Sequence, residues 1–300
     1  MKYRVRHRTE YYYGDPVPLC HNLIHMVPRE TPWQHCESSE LSITPAPAAR
    51  RDFVDFFGNH ATWVSVQEPH EVLRVETSSE VEVDTPQRTE TASSGWNDFA
   101  LRLAHDPSLY LLKEYTFASR QVELAPELAE YARETFDPGR PLLDCVEELT
   151  RRIFDEFQFD STATTINTPV LEVLDHRRGV CQDFAHLEIG CLRSLGLPAR
   201  YVSGYFATQP PPGQKRIAGA DRSHAWVSTY LPELGWVDVD PSKGTLVAED
   251  HITIGWARDY DDVSPLRGVV VGGRRHSMVI GVDVEPLESP AASGEPFSDG

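Results

Sequence analysis

Apolar residues recur at spacings of three and four along Phe184, Leu187, Cys191 and Leu195, which is one stripe of an α-helix, while Gln182, Asp183, Glu188 and Arg193 fall off that stripe. Gly196 closes the period and Pro198 forbids its continuation. Upstream, Arg177, Arg178 and Gly179 supply a turn. Cys181 therefore lands in the first helical turn, where backbone N–H groups lack intrahelical partners and the helix dipole is positive. Asp183, in the same turn, suits that dipole.

The rest of the pattern divides the chain. Residues 1–85 alternate apolar and polar in short runs (Tyr3 to Tyr13, Glu40 to Ile43, Ala61 to Val66, Glu71 to Val83), broken by Asp15-Pro16, Pro45-Ala46-Pro47 and Gly58-Asn59. This predicts an N-terminal antiparallel β domain of sandwich or small-barrel type. Residues 86–98 are polar and aperiodic, a linker. Helical periods follow at Pro126 to Phe136 and Pro141 to Gln158, the second with Leu142, Val146, Leu149, Ile153 and Phe154 on one face. Residues 99–265 read as an α+β core and 266–286 as a terminal strand segment with runs at Val269 to Val271 and Ser277 to Val284. Residues 287–300, rich in Pro, Ser, Gly and acid, read as a disordered tail. No internal repeat is present.

The chemistry sits in three ordered blocks. A thiol attacks as thiolate, and a helix N-terminus beside an imidazole lowers a cysteine pKa from about 8.5 toward roughly 3.5–7.5. An imidazole follows at His224 and a carboxylate at Asp240. Residues His224 to Tyr230 and Gly235 to Asp240 read as strands around Leu231-Pro232-Glu233-Leu234, a β-hairpin. A loop of about five residues pairs Thr229 with Gly235 and sets His224 opposite Asp240, with Cβ atoms roughly 4.5–5.5 Å apart. A four-residue loop would send the two side chains to opposite faces. Asp238 has the same parity and is the rival carboxylate; Pro241 favours Asp240 by holding it extended.

The blocks R-R-G-V-C-Q-D-F-A-H at Arg177 to His186, S-H-A-W-V at Ser223 to Val227 and G-W-V-D-V-D-P-S at Gly235 to Ser242 resemble the core of the transglutaminase-like superfamily. They resemble in particular its bacterial branch, whose members join that core to an N-terminal β-rich domain. The segment G-W-A-R-D-Y-D-D-V-S-P-L-R-G at Gly255 to Gly268 and the opening M-K-Y-R-V-R-H-R-T-E-Y-Y-Y extend the likeness over nearly the whole chain. The resemblance implies a papain-like, transglutaminase-like α+β core in which Cys181 is the nucleophile, His224 the general base and acid, and Asp240 the orienting carboxylate. Members similar to this chain include peptidases, amidases, acyl transferases and proteins without assigned activity. The leading expectation is a cysteine-dependent peptidase or amidase that attacks an amide or isopeptide carbonyl of a peptide or protein through a thioester. An acyl transferase of the protein-glutamine γ-glutamyltransferase kind, using an amine acceptor, and a catalytically inactive binding module are the alternatives. The backbone N–H of Cys181 is one oxyanion donor; Thr164, Thr165, Asn167 and Gln182 stay open for the second.

Other segments admit plainer readings. Ala207 to Arg222 is either a surface loop or a lid whose Lys215 and Arg216 meet a substrate carboxylate. His186, about 140° around the helix from Cys181, reads as structural, and Trp226 and Trp236 as core or cleft wall.

Composition narrows the setting. Three hundred residues, 40% hydrophobic and 25% charged, suffice for one large or two ordinary domains. A net charge of −18 repels nucleic acid and anionic membranes and points to neutral or cationic substrates. The five cysteines form neither a disulfide framework nor a C-x-x-C metal pattern, and no D-x-D-x-D-G calcium loop appears. Neither metal nor cofactor is expected. The start carries charge without an apolar h-region, and no apolar run approaches the roughly 20 residues of a membrane span. The expectation is a cytoplasmic protein; nothing in the sequence sets its oligomeric state.

Overall fold

Alternation in the first third of the chain produces six strands: β1 (Lys2–Val17), β2 (Leu19–Ile24), β3 (Gln34–Thr44), β4 (Ala49–Val54), β5 (His60–Val66) and β6 (His70–Val83). The computed structural model describes residues 1–86, 94–208 and 221–287. The middle of the linker, the loop stretch with Lys215 and Arg216, and residues 288–300 of the tail lie outside the described residues. A first helix, α1 (Trp96–His105), begins inside the segment read as linker. There follow α2 (Tyr110–Lys113), α3 (Pro126–Arg133), α4 (Leu142–Glu156), β7 (Gln158–Phe159), α5 (Val170–His176), β8 (Arg178–Gly179) and α6 (Cys181–Ser194). The strands of the core sheet and the C-terminus come last: β9 (Ala199–Phe206), β10 (Ser223–Leu231), β11 (Gly235–Asp240), β12 (Thr245–Leu246), β13 (His251–Ala257), α7 (Tyr260–Val263), β14 (Leu266–Val271) and β15 (His276–Leu287).

The strands form two four-stranded antiparallel sheets, β15-β1-β6-β3 and β14-β2-β5-β4, and a five-stranded antiparallel sheet, β12-β11-β10-β9-β13. The first two face each other across Val17, Ile24, Val64, Val66, Leu73 and Val75, one inward position from every second residue, as a sandwich requires. The C-terminal strands belong to this sandwich: β15 pairs with β1 from Lys2↔Leu287 to Tyr13↔His276, and β14 pairs with β2. A second apolar cluster joins Tyr3, Val5, Val81 and Val83 to Tyr205, Ile252 and Ile254, so the β domain rests on the five-stranded sheet. Among the described residues no helix is long and apolar enough to cross a membrane.

Helix α6 is buried on every side, which differs from the single stripe that its apolar period predicts. Asp183, His186, Glu188 and Arg193 are all below 5% exposed. Each has an internal partner, as buried polar groups require. Arg193 donates to the carbonyls of Phe117, Ala199 and Arg258, and burial lowers its pKa to about 10. Packing of α3, α5 and the sheet around α6 converts a surface helix pattern into a central one.

Candidate active site

The start of α6 is fixed by Asp183, whose Oδ2 accepts hydrogen bonds from the Val180 N–H at 2.8 Å and from the Thr164 hydroxyl at 2.6 Å. Gly179 permits that turn, since a Cβ there would stand 2.7 Å from the same oxygen. Cys181 is the first helical residue, so its N–H has no intrahelical acceptor. Its side chain lines a cleft of about 690 Å³ with Gln182, Tyr201, Phe206, His224 and Tyr260.

His224 comes from β10. Its Nε2–H donates to Asp240 Oδ2 at 2.6 Å, which leaves Nδ1 as the ring nitrogen available to the Cys181 sulfur. Burial opposes charge on this imidazole, but the bonds and negative charge supplied by Asp240 and Cys181 win and raise its pKa to about 10. Asp240 is fully buried yet has four donors: His224 and, at 3.1 Å, His251 Nε2 on Oδ2, and the Ser242 N–H and hydroxyl, both at 2.8 Å, on Oδ1. Burial alone would raise its pKa; the two histidines outweigh it and hold the carboxyl below its ordinary range.

The three residues that the sequence singles out are thus brought together, though by a register two residues from the expected one. The hairpin loop has three residues, with Leu231 paired to Gly235 and Val227 to Val239. Continued one step, that register faces Asp240 with Trp226, so Asp240 meets His224 on the diagonal instead of directly. Parity survives because three and five are both odd. Asp238, the rival carboxylate, accepts the Trp226 indole N–H at 3.2 Å and does not reach His224. Trp226 and Trp236 sit outside the cleft; the Arg200 guanidinium lies over the Trp236 ring at 4.0 Å and over the Trp256 ring at 3.8 Å. His186 is buried, accepts the Tyr260 N–H at 3.2 Å, and is lowered to about 4 by burial, a structural role. Of the four candidates for a second oxyanion donor, Thr164 is committed to Asp183 and Thr165 to Thr168, while Gln182 lines the cleft.

His251, on β13, is the residue that pattern reading misses. Its Nε2 reaches Asp240 and its Nδ1 reaches Asp250 Oδ1 at 2.7 Å, which makes it a donor on both sides and therefore an imidazolium. Burial lowers its pKa less than the two carboxylates raise it. A continuous file runs Asp250, His251, Asp240, His224, Cys181, alternating in charge. The ligand atoms of His224, Asp240 and His251 lie within 4.8 Å of one another, a spacing that a metal ion could bridge. A cation there would have to displace both histidine bonds to Asp240.

The other four thiols contrast with Cys181. Cys20, Cys145 and Cys191 are buried, and burial pushes the Cys36 and Cys145 thiols up to about 11. Cys20 also meets an imidazole, His70 Nε2 at 3.8 Å, but that pair is buried, whereas Cys181 and His224 both line the open cleft.

Comparison with known proteins agrees with this architecture. The profile of the bacterial transglutaminase-like N-terminal region matches residues 3–82, and that of the transglutaminase-like superfamily matches residues 129–241. An uncharacterized protein of Mycobacterium tuberculosis is 41% identical over 299 residues, covering 97% of this chain and 94% of the relative. A protein-glutamine gamma-glutamyltransferase of Pseudomonas aeruginosa is 31% identical over 104 residues, 32% of this chain and 16% of that protein. A crystal structure from Cytophaga hutchinsonii, described as a candidate cysteine protease, superposes with a TM-score of 0.74 at 21% identity, covering 96% of this chain and 91% of its own, and shares the fold. The chain belongs to the transglutaminase-like superfamily, in the bacterial form that carries its own N-terminal β region.

Proposed function

We propose that the protein is a cysteine-dependent peptidase or amidase. The observation that carries this reading is the 2.6 Å bond from His224 to a buried, fully satisfied Asp240, on an imidazole that shares an open cleft with a helix-N-terminal thiol. In the reaction, the Cys181 thiolate adds to an amide carbonyl carbon and the π electrons move to oxygen, where the Cys181 N–H can accept the charge. Collapse re-forms the carbonyl and breaks the C–N bond as the His224 imidazolium gives its Nδ1 proton to the leaving amine. The resulting thioester is attacked by water, His224 taking one water proton. A carboxylic acid leaves and the thiolate returns. Asp240 keeps the imidazole in the tautomer with Nε2–H and stabilises its charged form.

A primary amine in place of water would make the same site an acyl transferase, a reading favoured by the likeness to the Pseudomonas aeruginosa transferase. Alkylation by iodoacetamide at pH 7, read by peptide mass, tests the pair: Cys181 labels ahead of the other thiols, and His224→Ala slows it tenfold or more. An equal rate in the two proteins overturns the reading. Peptide substrates with and without cadaverine then separate hydrolysis from transfer by whether the amine enters the product.

A further inference from the structure

The charge of the catalytic cleft runs against that of the chain. Acidic residues outnumber basic ones 46 to 28, yet two cations, Arg222 and Lys243, line the cavity that holds Cys181 and His224. Lys243 is one of four lysines in the sequence. Neither cation has a carboxylate partner among the described residues, whereas Arg74, Arg152, Arg177 and Arg258 all do. The one carboxylate lining the cleft among the described residues, Asp221, is 4% exposed; its Oδ2 accepts the Val284 N–H at 2.9 Å and its Oδ1 accepts the Thr208 hydroxyl. Its charge is tied inward, toward β15, and the cations are left to face the cleft.

Both cations line the cavity that holds the thiol. The Lys243 ammonium stands 4.4 Å from the centroid of the Phe206 ring, and that ring lies 5.5 Å from the His224 imidazole. The Lys243 N–H donates to the Asp240 carbonyl at 3.1 Å, so its backbone is pinned to the residue that orients His224. Arg222 stands immediately before β10, two residues from His224, and lines the same cavity. An ammonium and a guanidinium flanking a neutral wall of Phe206 and Tyr201 form a receptor for an anionic planar group, the guanidinium by a bidentate grip.

We propose that the cleft takes an amide substrate bearing a free carboxylate a few bonds from the carbonyl that Cys181 attacks, held between Lys243 and Arg222. The proposal rests on Cys181 as nucleophile and names the substrate class for that site, against the neutral or cationic preference that the net charge alone implies.

The test compares Cys181 alkylation by iodoacetate, an anion, with iodoacetamide, its neutral isostere, in low-salt buffer. The ratio of the two rates cancels changes in thiol reactivity common to both reagents, and it is defined even for a thiol as slow as free cysteine. Coulomb's law at about 8–10 Å and an effective dielectric of roughly 40–80 gives about a two- to sixfold gain in the ratio for each cation. The parent ratio should exceed that of free cysteine, fall by that factor in Lys243→Gln and in Arg222→Gln, fall further in the double variant, and weaken with added salt. Lys2→Gln, on β1 outside the cleft, keeps the parent ratio. Protection of Cys181 by N-acetyl-Ala-Ala, by N-acetyl-Glu-Ala-amide and by N-acetyl-Ala-Ala-amide then separates a terminal from a side-chain carboxylate. A ratio equal in parent and double variant, with neither anionic peptide protecting better than the neutral one, overturns the proposal. Iodoacetamide labelling indifferent to His224→Ala overturns the catalytic reading instead.

Discussion

Glu188 offers a quantitative test of the packing beneath the candidate active site. It lies on α6 two turns after Cys181, along nearly the same face, and is 0% exposed. One oxygen accepts the Thr150 hydroxyl at 2.7 Å, the other has no partner among the described residues, and the charge that acts on it is the like-signed Asp240. Burial pushes the carboxyl up from its ordinary 4.5 to about 8. A group whose folded pKa exceeds its unfolded value favours folding fully below the unfolded pKa, and that contribution is lost as pH rises through the folded value. The fold therefore loses stability through Glu188 between about pH 4.5 and 8 at about 1.4 kcal/mol per pH step, on the order of 3 kcal/mol by pH 7. Glu188→Gln keeps an acceptor for Thr150 and the shape of the protonated acid, and it cannot ionise. Urea unfolding of parent and variant at pH 5, 6, 7 and 8 should show the variant gaining on the parent by about 1.4 kcal/mol per pH step up to pH 7 and levelling near pH 8. Groups common to both proteins cancel in the difference. A difference that stays flat across this range would show that Glu188 is hydrated or ionised in the fold and would refute the reasoning.

Two further outcomes follow from the site. His251→Phe keeps the ring packed edge-on against Phe206 and Trp226 but removes a charged donor from buried Asp240, so unfolding free energy should fall by about 1.5–3 kcal/mol at pH 6. Because the folded pKa of His251 is raised, that deficit is complete below pH ~6.5 and shrinks as pH climbs through the raised value; a pH-independent deficit would assign it to packing alone. Gly204→Ala puts a Cβ 2.3 Å from both the Ile252 carbonyl oxygen and the buried Trp226 ring, opposite His224 in the β9–β10 pairing. Neither neighbour can move cheaply, so a loss of about 3 kcal/mol or more is expected, and a melting temperature matching the parent's would contradict the close approach.

How much of this was readable before the structure depends on the range of each interaction. The position of Cys181 depends on its immediate neighbours: a glycine turn, an acid at the third helical position and a period of apolar residues. All of these are local, and the helix starts at Cys181. The meeting of His224 and Asp240 depends on strand parity, which an error of two in loop length leaves unchanged. The register itself had an unused cue in Leu231, which precedes Pro232 and is therefore held extended, inside the strand rather than in the loop. The full burial of α6 had none, because a polar residue with a partner across the core looks in sequence like one facing water. The same holds for β14 and β15, which return to the N-terminal sheets after some 250 residues of chain.

His251 shows where the limit falls in the site itself. It reaches Asp240 because β13 pairs with β9, β9 with β10, and β10 with β11, so its proximity is a property of strand order across three interfaces. No spacing along the chain encodes that order. The consequence for the chemistry is specific. A buried carboxylate with only His224 and the Ser242 turn as partners would concentrate its charge on the imidazole; with His251 as a second cation on the same oxygen, that charge is shared. The sheet therefore moderates how strongly Asp240 stabilises the charged form of His224. In the proposed reaction that imidazolium gives up its Nδ1 proton, the one not bonded to Asp240, to a leaving amine, so its release would depend on a residue that the three sequence blocks do not contain.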